Sequence, residues 1–169
     1  MDRINFRLIV FAGVILALIG FPMYVYVKSA VTGGVEDIGG GYKFVDLYAL
    51  SNFPFDQTNG TIEDVPKKWR ELDGQNVVLK GEMWQAFDSG NGKVGGFDLV
   101  YSISKCCVGT QPQIQHFVKA RVASGREAYY YPNQVMVTGK LHVDVQKDPE
   151  AGKVGQVYRL DVEKVEPST

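Results

Sequence analysis

The sequence predicts a mainly β domain with one short helix, preceded by a single N-terminal transmembrane helix. Three observations predict this class: an uncharged apolar run near the start, five later segments in which apolar and polar residues alternate, and glycines at the centre of two of those segments. With 169 residues, 45% of them hydrophobic, the chain can bury one packed core. The formal net charge of −1 supplies no basic field, so we expect no nucleic-acid partner.

An apolar run near the N-terminus predicts the membrane anchor. Residues 8–27 (LIVFAGVILALIGFPMYVYV) carry no charge, and about twenty residues is the length that an α-helix needs to cross a lipid bilayer. A cleaved signal peptide is the alternative, but Lys28 stands where its cleavage site requires a small residue. Arg3 and Arg7 precede the run, which places the N-terminus in the cytoplasm. We therefore expect residues 1–28 to be a single-pass cell-membrane anchor and the rest to be extracytoplasmic or periplasmic.

The chain after the anchor is expected to form a linker and then one domain. Residues 29–41 (SAVTGGVEDIGGG) are small and glycine-rich, which predicts a flexible linker, and residues 42–169 form the domain. Residues 42–50 are expected to be a short strand or a turn. The segment DVPKKWREL (64–72) combines a capping residue, a proline in the first turn and apolar residues on one face, so it predicts the short helix.

Five later segments alternate apolar and polar residues with the period of two that a half-buried strand requires. They are residues 76–84, 97–103, 116–122, 134–145 and 156–165. Gly81 and Gly139 lie in the middle of the first and fourth segments, where a bend or a bulge is expected. Long, bent strands with few helices predict a small OB-like five-stranded barrel, and a small β-sandwich is the alternative.

The two cysteines, Cys106 and Cys107, are adjacent in a turn-rich loop between the second and third predicted strands. A disulfide between them would close a very small ring, which suits a labile switch or a rigid loop platform. Two thiolates could instead bind zinc or copper(I), with His116 as a third ligand. A bond to another chain and simple burial of one cysteine are further alternatives. The residues alone leave all four open.

The remaining candidate residues are assigned by strand parity. His116 shares the parity of core-facing residues, so we expect it at the edge of the core with a hydrogen bond to a loop carbonyl. His142 falls on a polar face and is expected in solvent. Tyr129, Tyr130 and Tyr131 could form a ligand or partner surface, or could pack half-buried. The sequence carries no hydrolase, P-loop, metalloprotease or dinucleotide motif, so we expect no enzymatic activity and no catalytic residue.

The stretches LDGQNVVLKGEMW, FDLVYSISKCCVGTQPQIQHFVKARV and QVMVTGKLHV together resemble a group of uncharacterised bacterial membrane-anchored or exported OB-like domains with a Cys-Cys loop. They are also similar to the soluble domain of accessory subunits found beside certain permeases. The resemblance implies that Cys106, Cys107, Gly109 and Pro112 form a signature loop and that Gly81 bends the first strand. The permease-associated relatives carry an Ala-Asp-Ala run after the cysteines, whereas this chain has VGTQ.

These observations lead to two functional hypotheses from different classes. The first is a non-enzymatic, membrane-tethered binding or accessory module of an envelope system, with a membrane protein such as a permease as its partner and no cofactor. The second is a metal-binding or thiol-redox protein that acts through Cys106 and Cys107, with zinc or copper as the metal. The oxidation state of the two cysteines separates them.

Overall fold

The chain was analysed as a computed structural model, which describes residues 33–90, 92–109 and 111–168 together with Ile15, Leu18 and Gly20. The three isolated positions are helical and fall within the predicted anchor, but the rest of that segment lies outside the described residues. Among the residues that are described, no helix has both the length and the hydropathy needed to cross a membrane. The anchor over residues 1–28 therefore stays a prediction.

The described chain is mainly β, as predicted, and seven of its strands form one sheet. The strands are β1 (Val35–Gly39), β2 (Tyr42–Val45), β3 (Asn76–Gly90), β4 (Lys93–Val100), β5 (Val118–Val122), β6 (Val135–Asp148) and β7 (Lys153–Pro167). All five predicted strands are present, as β3 to β7. The observed spans of β3, β4, β6 and β7 are longer than the predicted ones or shifted along the chain. β5 begins two residues later than predicted, because His116 ends a 3-10 turn and Phe117 follows that turn.

The pairings among β3 to β7 run in a closed circuit. β3 pairs with β4 and β4 with β5, both antiparallel; β5 is parallel to β7; and β7 and β6 are antiparallel. β6 then returns to the first half of β3, from Asn76↔Lys140 to Gly81↔Val135. β3 closes the circuit because it changes partner along its length: β6 lies beside it up to Gly81, and β4 from Glu82 onward.

Gly81 lies at that change of partner. A Cβ atom there would be 2.5 Å from the carbonyl oxygen of Val100, the last residue of β4, and 2.9 Å from a methyl group of Leu47. A Cβ atom on Gly139 would likewise collide with the backbone carbonyl of Asp161 on β7. Both predicted bend positions are therefore places where backbones approach too closely for any side chain.

Short helices and 3-10 turns lie in the connections between strands. α1 (Leu47–Ser51), a 3-10 turn at Ile62–Asp64 and α2 (Lys67–Arg70) lie between β2 and β3, and α3 (Ile103–Cys106) and a 3-10 turn at Ile114–His116 lie between β4 and β5. The Asp46 carboxylate caps α1 by accepting the Tyr48 and Ala49 amides at 2.9 and 3.1 Å. The helix predicted over 64–72 is present as α2 with its flanking turns, whereas α1 and α3 were not predicted because single-turn helices carry no readable period.

The segment predicted as a linker contains regular structure. Val35–Gly39 forms β1, which pairs antiparallel with β2. The glycines that indicate flexibility in the sequence make the tight reversal between these strands, since Gly39, Gly40 and Gly41 all have positive φ. The Asp37 side chain accepts the Gly39 amide at 2.8 Å and fixes the reversal.

The core confirms the predicted alternation. Residues of one parity on β3, β4, β6 and β7 are almost fully buried, including Leu79, Leu99, Leu141 and Leu160. Tyr158 is buried with them and donates its hydroxyl to the Leu50 carbonyl at 3.1 Å, which ties β7 to α1. Residues of the opposite parity therefore form the outer face of the sheet, which is where the candidate site lies.

Candidate functional site

The two cysteines end the short helix α3, and backbone hydrogen bonds place them. The Cys106 and Cys107 amides donate to the Ser102 and Ile103 carbonyls, each at 3.0 Å. The first free amide of the helix, that of Ile103, donates to the Glu82 carboxylate at 2.8 Å. A carboxylate at this position satisfies a donor that would otherwise be unpaired and fixes α3 against β3.

The sulfur atoms of Cys106 and Cys107 lie at disulfide-bonding distance, so the two residues form a vicinal disulfide. Cys106 is 1% exposed, whereas Cys107 is half-buried and the following Val108 is exposed. Of the alternatives that the sequence left open, the structure therefore supports the disulfide within the chain. One half of the bridge belongs to the core and the other half faces outward.

The rest of the loop is fixed by a turn and by a buried amide. Gly109 has a φ of 76°, a conformation that favours glycine, and so reverses the chain. Beyond Pro112, the side chain of Gln115 is 1% exposed and donates to the Phe53 carbonyl at 3.1 Å while accepting from Gln57 at 2.9 Å. Removing one partner of such a buried pair costs about 1–3 kcal/mol. The loop is therefore a fixed part of the domain.

His116, the third candidate metal ligand, ends the 3-10 turn beside the ring of Tyr101, with ring centres 6.2 Å apart. It is half-buried, as expected for the edge of the core, and burial lowers the pKa of its imidazole. Its Nδ1 atom is buried without a hydrogen-bond partner in the described chain, so the expected bond from this atom to a loop carbonyl is absent.

A metal site is not assembled in this state. Among the described residues, no group of three or more His, Cys, Asp or Glu side chains is placed to hold a metal ion. While the sulfurs of Cys106 and Cys107 are bonded to each other, neither can act as a thiolate ligand. Zinc or copper binding by these residues would therefore require the reduced protein.

A cavity of about 280 Å³ lies beside the outward half of the disulfide. Its lining includes Cys107 and Pro112 of the loop and three outward residues of neighbouring strands. These three stand in one row across the sheet, because Trp84 on β3 is opposite Asp98 on β4, and Asp98 is opposite Lys119 on β5. The row and the disulfide thus face the same cavity.

The row contains two opposite charges that no ion pair within 4 Å joins in the described chain. Burial raises the pKa of Asp98, and the nearby Lys119 ammonium only partly opposes that effect. Among the hydrogen bonds and ion pairs of the described chain, none involves the side chain of Asp98. A half-buried carboxylate without a donor is costly for the fold, so such groups are typical of binding sites.

Trp84 and Gln85 also line a second, larger cavity of about 540 Å³, together with Tyr130 and with Lys93 and Val94 of β4. The strand register shifts between Trp84 and Phe87, and Gln85 has a φ of 47°, the one positive value outside glycine in the described chain. A left-handed conformation costs a non-glycine residue about 1–3 kcal/mol and is often found at functional sites. The bulge turns consecutive side chains of β3 toward both cavities.

The three tyrosines do not form a common surface. Tyr130 is 53% exposed and lines the larger cavity, so it could contact a ligand there. Tyr129 forms an isolated bridge with Lys93 and donates its hydroxyl to Glu127 at 3.3 Å. Tyr131 instead packs against the core. The predicted tyrosine surface thus reduces to Tyr130 at the cavity and Tyr129 at its margin.

The prediction for His142 needs a correction. It was expected in solvent on a polar face, but its side chain is only 25% exposed and lies between two carboxylates. Its Nε2 atom is 3.0 Å from Asp161, and its Nδ1 atom is 3.8 Å from Asp73. Parity assigned the correct face, but it could not show that the turn before β3 folds over this position.

Sequence reasoning missed the residues that build the cavities: Trp84, Gln85, Asp98 and Lys119. The sequence did carry one signal, because Trp84, Asp98 and Lys119 all have the outward parity on their strands. What the sequence lacked was the register, which brings three strands into one row. The bulge at Gln85 carries no sequence signal, since glutamine has no preference for positive φ.

Comparisons with known proteins bear on the fold alone. No protein-family model matches the chain, and no curated protein matches it. Among solved structures, the chain is similar to the crystal structure of a DUF3299 family protein from Pseudomonas aeruginosa PAO1, with 23% sequence identity and a TM-score of 0.50. The similarity covers 73% of this chain and 79% of that one.

Asp98 gives a pH-dependent test of the site. Its ordinary pKa is 3.8, and the folded value is higher, so the folded protein holds this proton to a higher pH than the unfolded chain does. Stability from this group is therefore present at low pH and lost as the pH rises through the folded pKa. We expect Asp98→Asn to be more stable than the wild type at pH 7 and equal to it near pH 3.

Urea unfolding across this pH range, followed by tryptophan fluorescence of the full chain in detergent, measures the difference. The control is Glu166→Gln, since the Glu166 side chain is 53% exposed on β7 and exposed substitutions usually change stability by less than about 0.5 kcal/mol. An Asp98→Asn variant that is less stable than the wild type at pH 7 would show that the protein compensates this carboxylate.

Proposed function

We propose that the chain is a non-enzymatic binding or accessory module, tethered to the cell membrane by residues 1–28, with its domain outside the cytoplasm. The domain is an OB-like barrel formed by β3 to β7. The closed circuit of pairings among these five strands supports the barrel. The uncharged run over 8–27 supports the tether, and a disulfide is typical of an oxidising compartment.

One observation carries the binding role: the cavity beside Cys107 is lined by the Asp98 carboxylate, which accepts no hydrogen bond in the described chain, by an ammonium group and by an indole ring. Concave sites with a few convergent polar groups on an apolar wall are where proteins bind small molecules. The disulfide would act as a fixed part of that wall. The accessory role, with a membrane protein such as a permease as partner, rests on the tether and on the resemblance of residues 42–165 to permease-associated domains.

Cell fractionation with protease protection tests the tether and its orientation. We expect the full chain to stay in the membrane after an alkaline wash, and a C-terminal tag to be digested in spheroplasts without detergent. A variant without residues 1–28 is the control and should appear in the soluble fraction. A tag that is protected in spheroplasts and digested only after lysis would place the domain in the cytoplasm and would contradict the proposal.

A thiol-redox role is the second candidate, because Cys107 is half-buried and lines a cavity that a partner thiol could enter. In that reaction the disulfide would accept two electrons and two protons from a substrate dithiol, giving Cys106 and Cys107 thiols and a substrate disulfide. The leading proposal uses the same bridge only as structure. The two candidates therefore differ in whether the disulfide is reduced and reoxidised while the protein functions.

Thiol counting and an oxidation assay separate these candidates. Without reductant we expect no reactive thiol in the denatured chain, and two after reduction, because both sulfurs are in the bridge. The protein should oxidise a reduced, unfolded ribonuclease no faster than the double variant Cys106→Ser/Cys107→Ser does. Oxidation well above that control would favour the redox role, and stoichiometric zinc or copper in the purified protein would favour the metal-binding one.

A further inference from the structure

The row across β3, β4 and β5 has the composition of a sugar-binding site. Its first member, Trp84, offers a half-buried ring on the outer face of the sheet. Its second and third members, Asp98 and Lys119, are directly opposite each other on neighbouring strands, where side chains start about 5 Å apart. An aromatic wall therefore stands beside one strong acceptor and one strong donor.

Neither charged side chain of the row forms an ion pair within 4 Å in the described chain, although the Lys119 ammonium acts at longer range on the pKa of both Asp98 and Asp148. The Asp98 carboxylate accepts no hydrogen bond in the described chain, and no ion pair within 4 Å joins it to Lys119 across the strands. Because burial already disfavours the Asp98 charge, a ligand that donates hydrogen bonds to it would recover part of that cost. A ligand with neighbouring hydroxyl groups can donate to the carboxylate and accept from the ammonium at the same time.

Part of the cavity lining is apolar. Cys107 contributes the outward half of the disulfide, and Pro112, Ile114 and Phe117 line the same cavity. The 3-10 turn includes Ile114, and the buried Gln115 side chain anchors that turn to the Phe53 carbonyl. A ring with an apolar face would pack against these residues and Trp84. At about 280 Å³ the cavity is near the small end of ligand sites, which limits the occupant to a unit of monosaccharide size.

We propose that this cavity binds a saccharide, with one pyranose ring stacked on Trp84 and its edge hydroxyls bridging Asp98 and Lys119. This inference rests on the proposed binding role and names its ligand class. Among the described residues, the lining carries one negative and one positive charge, so it suits a ligand without net charge. A pyranose satisfies all three contacts at once, because its C–H face is apolar and its edge carries both donors and acceptors.

Titration of the full chain with cellobiose, lactose and N,N′-diacetylchitobiose tests the proposal. The protein is held in lauryldimethylamine oxide, since glucoside and maltoside detergents would occupy a sugar site. A ligand-dependent change in tryptophan fluorescence reports on Trp84, because the other tryptophan, Trp69, is 1% exposed and does not line the cavity. Calorimetry on the same samples gives the affinity. We expect saturable binding of at least one disaccharide with a change in the tryptophan emission.

Variants of the row test where the sugar binds. Asp98→Asn and Lys119→Gln should each weaken binding by about tenfold or more, since each removes a charged hydrogen-bond partner. The matched controls are Glu166→Gln and Lys164→Gln, an exposed ion pair on β7 outside the cavity, which should leave the affinity unchanged within about twofold. Because Asp98→Asn is expected to stabilise the fold at pH 7, weaker binding by that variant cannot be attributed to unfolding.

Three results would overturn the saccharide proposal. One is the absence of saturable binding by all three disaccharides up to about 10 mM, beyond the weak end of specific affinities. A second is an affinity that Asp98→Asn and Lys119→Gln leave unchanged. A third is that the protein binds no sugar but binds a zwitterion such as L-alanine, and that the Asp98→Asn variant does not bind this zwitterion. None of these results affects the fractionation experiment. A failure of the saccharide proposal can therefore be distinguished from a failure of the tethered-module proposal.

Discussion

The structure depends on a change of strand partner within β3. Up to Gly81 this strand pairs with β6 and with the parallel β2, and from Glu82 onward it pairs with β4. The exchange is feasible only because position 81 has no side chain, since a Cβ atom there would strike the backbone of Val100. It closes the circuit of strands and sets the register that places Trp84 opposite Asp98. The candidate site is thus a consequence of how the sheet closes.

The disulfide loop is the second half of the site, and ordinary polar contacts build it. Glu82, the first residue after the change of partner, accepts the leading amide of α3, and Gln115 anchors the returning segment to the loop before α2. The bridge between Cys106 and Cys107 joins two adjacent residues at the end of α3, so it constrains that end and not the segment that follows. These contacts explain why the two cysteines differ in exposure, with one in the core and one at the cavity. They also bring apolar residues of the loop to the cavity that Asp98 and Lys119 line.

The sequence predicted the parts of this arrangement that depend on periodicity and composition. The five main strands, the buried parity, the short helix over 64–72 and the loop position of the cysteines all follow from local patterns. The row of Trp84, Asp98 and Lys119 does not, because it depends on the register between three strands, which the bulge between Trp84 and Phe87 shifts. The environment of His142 depends likewise on a turn that folds back over the sheet. Adjacent cysteines admit several chemistries, and only their geometry favours one.

The central claim is that the closed disulfide fixes residues 106 and 107 as part of the wall of the binding cavity. Hydrogen exchange of backbone amides in the oxidised chain and in Cys106→Ser/Cys107→Ser tests it most directly, since the amides of residues 106 and 107 both donate to carbonyls of α3 and its cap. We predict faster exchange of these two amides in the variant and unchanged exchange in β6 and β7. Equal protection of the two amides in both proteins would contradict the claim.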